Sequence, residues 1–565
     1  MYLAKEVTLY ALAYSLAFPA PSVLAHQHHE YDIVVVGGTS AGYSAAIQAA
    51  RLNRSVALLE TSKHVGGIAI EGAGGTDIDS QSSFQNSVTV GPLALEFYRR
   101  VAARYNNTDA FDEAWRNHTK AKNLWRFECH VGQSVIEDWL AEEEYLDVFL
   151  ETALKGAGNG DGVSKSGTAI SMIETEEGNT FSAHYFIDAT YEGDLLAASG
   201  VPYTIGRESI VPYNESLAGV QYNTTFSQLT VKVDPYLVPG NTSSGLLPTV
   251  QDQALGKAGA GDKNIQAYSW RLCLTNKTSN LVPFDRPSNY DPSQYEIYKR
   301  YVAAGGEIFK PSVVLPNDKT DMIGIATEGL GFDMPGRTLE YPEGSHAERA
   351  KLFDDLAQWQ KGLLYFLAND ESMPSTTRTE WSKWGYPKDE FVDNEHFPRA
   401  MYVRDARRMM RDDILITMHN SQYGYPEVAV VDPILTNLWP IDIHSTRRIV
   451  RNGSIYDEGF IWKQGPDWKP WLLSYQAIVP KSSQCSNLFV PTAPSSSHLG
   501  FSLLRIEHTF MTMGQVSAFA ADIAIKTAAN SSQEVDYKQL REKLDAAGFL
   551  LDANADDLPD RVSNT

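Results

Sequence analysis

Residues 31–60 read YDIVVVGGTSAGYSAAIQAARLNRSVALLE, and the order of their parts decides the fold. Asp32 to Val36 is a short apolar run dense in β-branched side chains, the composition of a strand buried on both faces. Gly37, Gly38 and Gly42 then turn the chain sharply, and from Ala41 to Leu52 small and apolar residues fit a helix lying close on a sheet. Ser55 to Leu59 is a second apolar run and ends in Glu60. Strand, glycine turn, helix, strand and terminal acid in this sequence form a βαβ dinucleotide fingerprint. The first helical turn, Thr39, Ser40 and Ala41 included, aims backbone N–H groups and the positive end of the helix dipole at a pyrophosphate. Glu60 stands where a carboxylate accepts hydrogen bonds from ribose hydroxyls. The fingerprint asks for glycine where this chain has Thr39, and a glycine-rich turn by itself is common. An ordinary strand–turn–helix is the plain alternative.

At 565 residues the chain has room for two or three domains with a large core. A net charge of −22 opposes nucleic-acid binding, which needs a basic face. Lys5, the apolar stretch Val7 to Phe18, Pro19, Pro21 and the small-residue site ending at Ala25 predict a secretory signal peptide over residues 1–25. That stretch is short of the ~20 apolar residues a membrane span needs, and no later segment supplies them, so no span is expected. Glycosylation acceptors occur at Asn53, Asn106, Asn117, Asn214, Asn223, Asn241, Asn276, Asn452 and Asn530, which fits a secreted glycoprotein carrying N-linked glycans. Cys129, Cys273 and Cys485 allow one intrachain disulfide at most, with no pairing legible. His26-Gln27-His28-His29 reads as a flexible leader, and no metal site is expected.

Further along, TSKHVGGIAIEGAGGTD (61–77) is a glycine-rich loop able to approach something flat and bulky. Helices are predicted over 93–104, 134–144, 292–304, 346–368 and 400–412, and strands between 147 and 187 with GAGNGDG (156–162) as a hairpin tip. The run AHYFIDATYEGDLLAASG (183–200) is a strand ending in Asp188-Ala189-Thr190, then an acidic turn and a helix. Residues 214–290, rich in Asn, Thr, Ser, Pro and Gly, suggest strands and long loops of a second domain. Near the end come a buried strand at 488–490, a loop at 495–508, a small-residue helix from Phe510 to Ile525, and a loose acidic end from 551.

VVVGGTSAG, HVGG and FIDATYEGDLLAASGVPYTIGRE resemble the FAD-dependent oxidoreductases of glutathione-reductase-like topology. The likeness is strongest to the branch found beside bacterial polysaccharide genes, here as a secreted, fungal-type member. YSWRLCLT (268–275), LPNDKTD (315–321), MYVRDARRM (401–409) and the run from Ser474 to Gln515 resemble it too, in collinear order. The resemblance implies an α/β fold with a discontinuous Rossmann-like FAD-binding domain, residues 30–212 plus 480–530, and a second α+β substrate or cap domain, 213–479. A C-terminal helix and tail, 531–565, follow. It implies that Gly37, Gly38, Gly42 and Glu60 hold the AMP-diphosphate half of FAD and that Gly66 and Gly67 lie along the diphosphate or ribityl chain. Asp188, Ala189 and Thr190 would approach the cofactor. A helix starting near Met513, Gly514 and Gln515 would aim its N-terminus at the flavin.

With one nucleotide fold visible, a small-molecule substrate is expected to give its hydride straight to flavin, with O2 or another acceptor reoxidising it. For proton removal the candidates are His498, Arg505, Glu507 and His508. His498 is either a base or a residue that shapes its loop, and Arg505 and Glu507 are either catalytic or paired with each other. Arg271 is a substrate or flavin contact or a structural ion pair. Arg404, Arg407 and Arg408 sit at helical spacing and read as a solvated face. His64 is a loop residue or a covalent flavin anchor. A non-redox lyase or isomerase acting on a carbohydrate, and a glycan-binding protein with an idle flavin site, are the rival functions.

Overall fold

The computed structural model describes residues 26–551, apart from 158–159, 225, 325–328, 414, 422–428 and 464–468. The segment read as a signal peptide and the acidic end from 552 onward lie outside the described residues, as does part of GAGNGDG.

Strand β1 (His28–Val36), helix α1 (Ser40–Arg51) and strand β2 (Val56–Leu59) form the crossover read from the sequence, with Ile33 opposite Val56 and Val36 opposite Leu59 in parallel register. Helices α2 (Pro92–Arg104) and α3 (Cys129–Ala141) lead to β3 (Leu146–Phe149), parallel to the outer side of β2. An antiparallel hairpin, β4 (Val163–Ser166) and β5 (Ala169–Glu174), feeds β6 (Thr180–Asp188), which runs parallel to β1. β5 covers the start of β6 at Thr180 and Phe181, while β7 (Leu488–Phe489), from the far end of the chain, pairs parallel with Phe186 and Ile187. The resulting order β3-β2-β1-β6-β5-β4, with β7 beside β6, is a mixed α/β, Rossmann-like sheet. Ile33, Val34 and Val35 have no exposed surface, as a strand covered on both faces requires.

Helices α4 (Asp194–Ala198), α5 (His346–Asn369), α6 (His498–Ser502), α7 (Glu507–Thr527) and α8 (Tyr537–Ala547) complete the parts that position the site. A second core gathers around α5, with Tyr268, Trp270, Tyr298, Leu363 and Leu367 buried together. Its start is fixed by a capping box: the Ser345 hydroxyl accepts from the Glu348 N–H (3.3 Å) and the Glu348 carboxylate from the Ser345 N–H (2.8 Å). Cys129 and Cys273 are neighbours in a small cluster with Leu315 and Phe391, and all three cysteines are free thiols.

Several expectations are corrected. The His-rich stretch is not a loose leader throughout, because His28 and His29 begin β1 opposite Thr180 and Phe181, and the His29 ring stacks on Phe181 at 4.8 Å. The hairpin turns at Gly167, where φ is +63°, while GAGNGDG precedes its first strand. Residues 400–412 form no helix. Arg404, Arg407 and Arg408 are each at most 1% exposed, so the spacing taken for a solvated face belongs to an irregular buried segment held by ion pairs. The C-terminal helix begins at Glu507, not near Met513, and a short helix, α6, occupies the predicted loop.

Gly514 and Gln515 therefore lie inside α7. A Cβ at Gly514 would stand 2.1 Å from the Ala41 carbonyl oxygen, so glycine there lets α7 press against the first turn of α1. Gln515 reaches sideways, donating to the Gln48 side chain (2.8 Å) and accepting from the Leu93 N–H (3.2 Å). Gly514→Val is expected to lower stability by about 1–3 kcal/mol through overpacking, seen as a lower Tm and weaker retention of bound nucleotide. A Tm equal to wild type would show that the helices have room to part.

Candidate functional site

At the C-terminal ends of β1 and β2 opens a cleft of about 450 Å³, lined by Gly37, Thr39, Glu60, Gly67 and Thr190 among others. Gly37 sits at φ +99°, and a Cβ on Gly42 would lie 1.8 Å from the Gly37 carbonyl oxygen, so the turn closes only with glycine at both places. Thr39, the departure from the fingerprint, caps α1: its hydroxyl faces the Gly42 N–H (3.4 Å) and donates to the Ala189 carbonyl (2.6 Å). The amides of Ser40 and Ala41 meet no acceptor among the described residues. The Gly38 N–H donates to Glu60 Oε2 (2.7 Å), which fixes that carboxylate at the cleft. A side chain on Gly67 would strike the Tyr191 hydroxyl at 2.5 Å and Thr39 at 3.1 Å, so Gly66 and Gly67 keep their loop against the turn. Free helix amides, a glycine turn and a terminal acid at a cleft of this size fit the adenosine-diphosphate part of FAD.

Asp188 is buried and shapes the end of β6, accepting from Thr190 N–H (3.0 Å), the Thr190 hydroxyl (2.7 Å) and Leu196 N–H (2.7 Å). Burial pushes its pKa to about 7. Thr190 lines the cleft, and Ala189 packs behind Gly42. His64 lines the cleft, its Nε2 2.7 Å from Asp393 and its Nδ1 3.0 Å from the Gln133 side chain.

Beyond Ile68 the cleft narrows to a gap of about 20 Å³ bordered by Ile68, Tyr98, Tyr402, Ile506, Glu507 and His508. Glu507 opens α7 and is half-buried, with its Oε1 atom enclosed. Its Oε2 accepts from the Ser40 hydroxyl and from the Tyr191 hydroxyl (2.9 Å), while its Oε1 has no partner. Burial raises its pKa to about 7, with Ser40 and Tyr191 opposing the shift. His508 is held neutral, burial pushing its pKa down to about 4.

On the far side of the gap lies a cavity of about 380 Å³ walled by Phe226, Trp439, Phe460 and Trp462 and, toward the gap, by Asp77, Arg271, Tyr402, Arg404, Asp442 and Arg505. Asp77, Arg271 and Tyr402 border both spaces. The Tyr402 ring has three guanidinium groups around it, those of Arg404 at 4.9 Å, Arg505 at 5.7 Å and Arg271 at 5.9 Å.

The other residues proposed for proton transfer or substrate contact, Arg271, Arg505 and His498, fall in different places. Arg271 holds Asp321 in a two-point pair (2.6 and 2.7 Å), as the structural alternative has it, and also borders the cavity. Arg505 donates to the Tyr402 hydroxyl (3.1 Å) and the Asp442 carbonyl (2.9 Å), not to Glu507. His498 lines neither space. Its Nδ1 faces Asp405 at 3.0 Å and its N–H donates to Glu208 (2.9 Å), so α6 uses it as a packing and pairing residue. Gly514 packs against Ala41, and Gln515 bonds Gln48 and Leu93; neither lines the cleft or the gap. Asp77 and Tyr402 were not singled out from the sequence, although Asp77 ends the glycine-rich loop and Tyr402 lies in MYVRDARRM. Among the described residues a cluster of metal-ligand type, Glu128, His130 and Asp389, encloses the Lys319 ammonium, 2.7 Å from Glu128 and 2.9 Å from Asp389.

Sheet and cleft together define a dinucleotide-binding α/β protein of Rossmann-like fold. The model of the family "FAD dependent oxidoreductase" matches residues 32–544, and the chain belongs to that family: it is an oxidoreductase, and its cofactor is FAD. Digeranylgeranylglycerophospholipid reductase 2 of Methanothermobacter thermautotrophicus is 30% identical over 183 residues, 32% of this chain and 42% of the relative. The chain thus matches less than half the length of that curated relative. Among solved structures, T. acidophilum thioredoxin reductase aligns at 19% identity and TM-score 0.16, covering 28% of this chain and 35% of that one. Pseudomonas putida p-nitrophenol 4-monooxygenase aligns at 13% identity and TM-score 0.21, covering 32% and 46%.

A carboxyl whose folded pKa exceeds its unfolded value near 4.5 stabilises the fold below that value and loses the contribution as pH rises to the folded pKa. For Glu507 the window runs from about 4.5 to about 7. Glu507→Gln, which keeps an acceptor for Ser40 and Tyr191, is expected to be near neutral at pH 5 and to stabilise the FAD-free protein by up to about 3 kcal/mol at pH 8. Denaturant melts of both proteins at the two pH values check this, and a pH-independent difference would refute it.

Proposed function

We propose that the protein oxidises or desaturates a small organic molecule held in the 380 Å³ cavity beyond the flavin gap. The observation that supports this reading is the shared border: Asp77, Arg271 and Tyr402 face both the gap under Glu507 and the cavity. A substrate seated among Trp439, Phe460 and Trp462 would present its polar end to that border, with its apolar body against the rings. When bound, FAD supplies the two-electron acceptor for a hydride from the substrate's C–H bond. The chain's part is to orient that bond, exclude water and take the accompanying proton. In this reading the substrate gives its hydride directly to flavin, with O2 or another small acceptor restoring the cofactor, and a single dinucleotide crossover among the described residues supports it.

We further propose that the protein is exported and glycosylated. The asparagines of all nine acceptor sequences are exposed, Asn53 at a tight turn with φ +60° included. Protein secreted by a eukaryotic host is expected to shrink by several glycan masses on treatment with an N-glycosidase. An unchanged mass would sink this part of the proposal.

Anaerobic addition of substrate candidates to the yellow protein tests the redox reading. Bleaching of the flavin absorbance is expected. Turnover without bleaching would instead favour a lyase or isomerase, and a colourless protein that refuses FAD would leave only a binding role.

A further inference from the structure

Four carboxylates stand near the border between gap and cavity, and three are committed. Asp321 is tied to Arg271 and accepts from the Gly75 N–H at 2.8 Å. Asp442 lies 3.1 Å from Arg505. Glu507 accepts from Ser40 and Tyr191. The Asp77 carboxylate has no hydrogen bond or ion pair among the described residues. Its backbone is nevertheless fixed, since its carbonyl accepts from Asn86 Nδ2 (3.2 Å) and the Ser80 hydroxyl (3.1 Å). Arg271 shows the complementary pattern: Nε and Nη2 are used on Asp321, and Nη1 has no partner among the described residues. A free acceptor and a free donor therefore share the one stretch of wall that both spaces have in common.

We propose that Asp77 is the proton acceptor of the reaction and that the substrate is a hydroxyl compound, its oxygen held between Asp77 and Arg271 Nη1. This rests on the oxidoreductase reading of the cavity. The O–H would donate to Asp77 and the oxygen would accept from Arg271. The carbinol C–H bond breaks with its electron pair going to FAD as hydride, the C–O bond becomes C=O, and the O–H bond breaks with its proton passing to the Asp77 carboxylate. The substrate loses two electrons and two hydrogens, FAD gains the hydride, and Asp77 later gives the proton to water. An amine substrate is disfavoured, because it would arrive as a cation beside Arg271, Arg404 and Arg505.

The charges around Asp77 suit this role. Burial raises its pKa, opposed by Arg271 and Arg505 and reinforced by Asp442 and Asp321. Arg126 and Glu507 also act on it across the gap, with Tyr98 and Tyr402 as neutral phenols. A base with a pKa lifted toward working pH accepts a proton better than an ordinary carboxylate does.

The test uses the FAD-loaded full chain with two probes. Phenol carries an O–H but no carbinol C–H. Its affinity, read from the change it causes in the flavin spectrum, is expected to rise with pH as Asp77 ionises and then level off, and to be flat with pH in Asp77→Asn. Benzyl alcohol and sugar alcohols are the reacting probes: at least one is expected to bleach wild type anaerobically, with Asp77→Asn keeping one FAD per chain and bleaching 10²–10⁴-fold more slowly. Phenol affinity in wild type that is absent or indifferent to pH overturns the proposal whether or not the variant folds. So does a variant that bleaches within threefold of wild type, or a loaded wild type that none of the alcohols bleaches. Failure of wild type to hold FAD would instead overturn the reading of the site on which the proposal rests.

Discussion

The contact between α1 and α7 is the constraint on which the rest depends. The carbonyl of Ala41 and the missing side chain of Gly514 bring two helices, far apart in sequence, into backbone contact. That approach carries the start of α7 to the start of α1, where Ser40 and Glu507 meet through their side chains. The nucleotide turn and the segment bordering the flavin gap are thereby joined at one point. β7, laid parallel on β6, anchors the same returning segment to the sheet from the other side. Moving either helix outward would separate the cleft from the gap.

Around that junction the charge arrangement is economical. Arg271 with Asp321, Arg404 with Asp333, and Arg349 and Arg407 with Asp194 are buried pairs, costly to desolvate and costly to break singly. The pairs of Arg404 and Arg407 hold residues 400–412, a segment that is irregular apart from Arg408 and Met409, which pair with Thr204 and Tyr203. Tyr402 is presented to both spaces by that segment, under three guanidinium groups. Glu507 is the opposite case, a carboxyl with one oxygen unpaired, whose pKa burial raises to about 7.

How much of this was legible in the sequence depended on whether the signal was local. The βαβ crossover was, since β-branched runs, a glycine turn and a terminal acid each carry their own geometry, and even Thr39 fits once its capping role is seen. The mixed α/β, Rossmann-like class and the FAD cofactor followed from those residues and the resemblance. Residues 400–412 misled because arginines at helical spacing look like a solvated face, and nothing local announces that carboxylates from residues 194, 208 and 333 will bury them. Gly514, expected near the cofactor, packs against the Ala41 carbonyl, a contact that no local signal announces. The start of α7 was missed because the apolar run through Phe510 hid the helical turn at Glu507. Asp77 was passed over because an acid closing a glycine loop looks like turn chemistry, and its freedom from partners is a property of the fold alone.

The measurement that tests the central claim most directly is a structure of the FAD-loaded protein. The diphosphate is expected on the amides of Ser40 and Ala41, the ribose at Glu60, and the isoalloxazine ring between Ile68, Tyr402 and the first turn of α7, facing the cavity. Density for the ring elsewhere, with the gap beneath Glu507 closed and Tyr402 remote from the flavin, would contradict it.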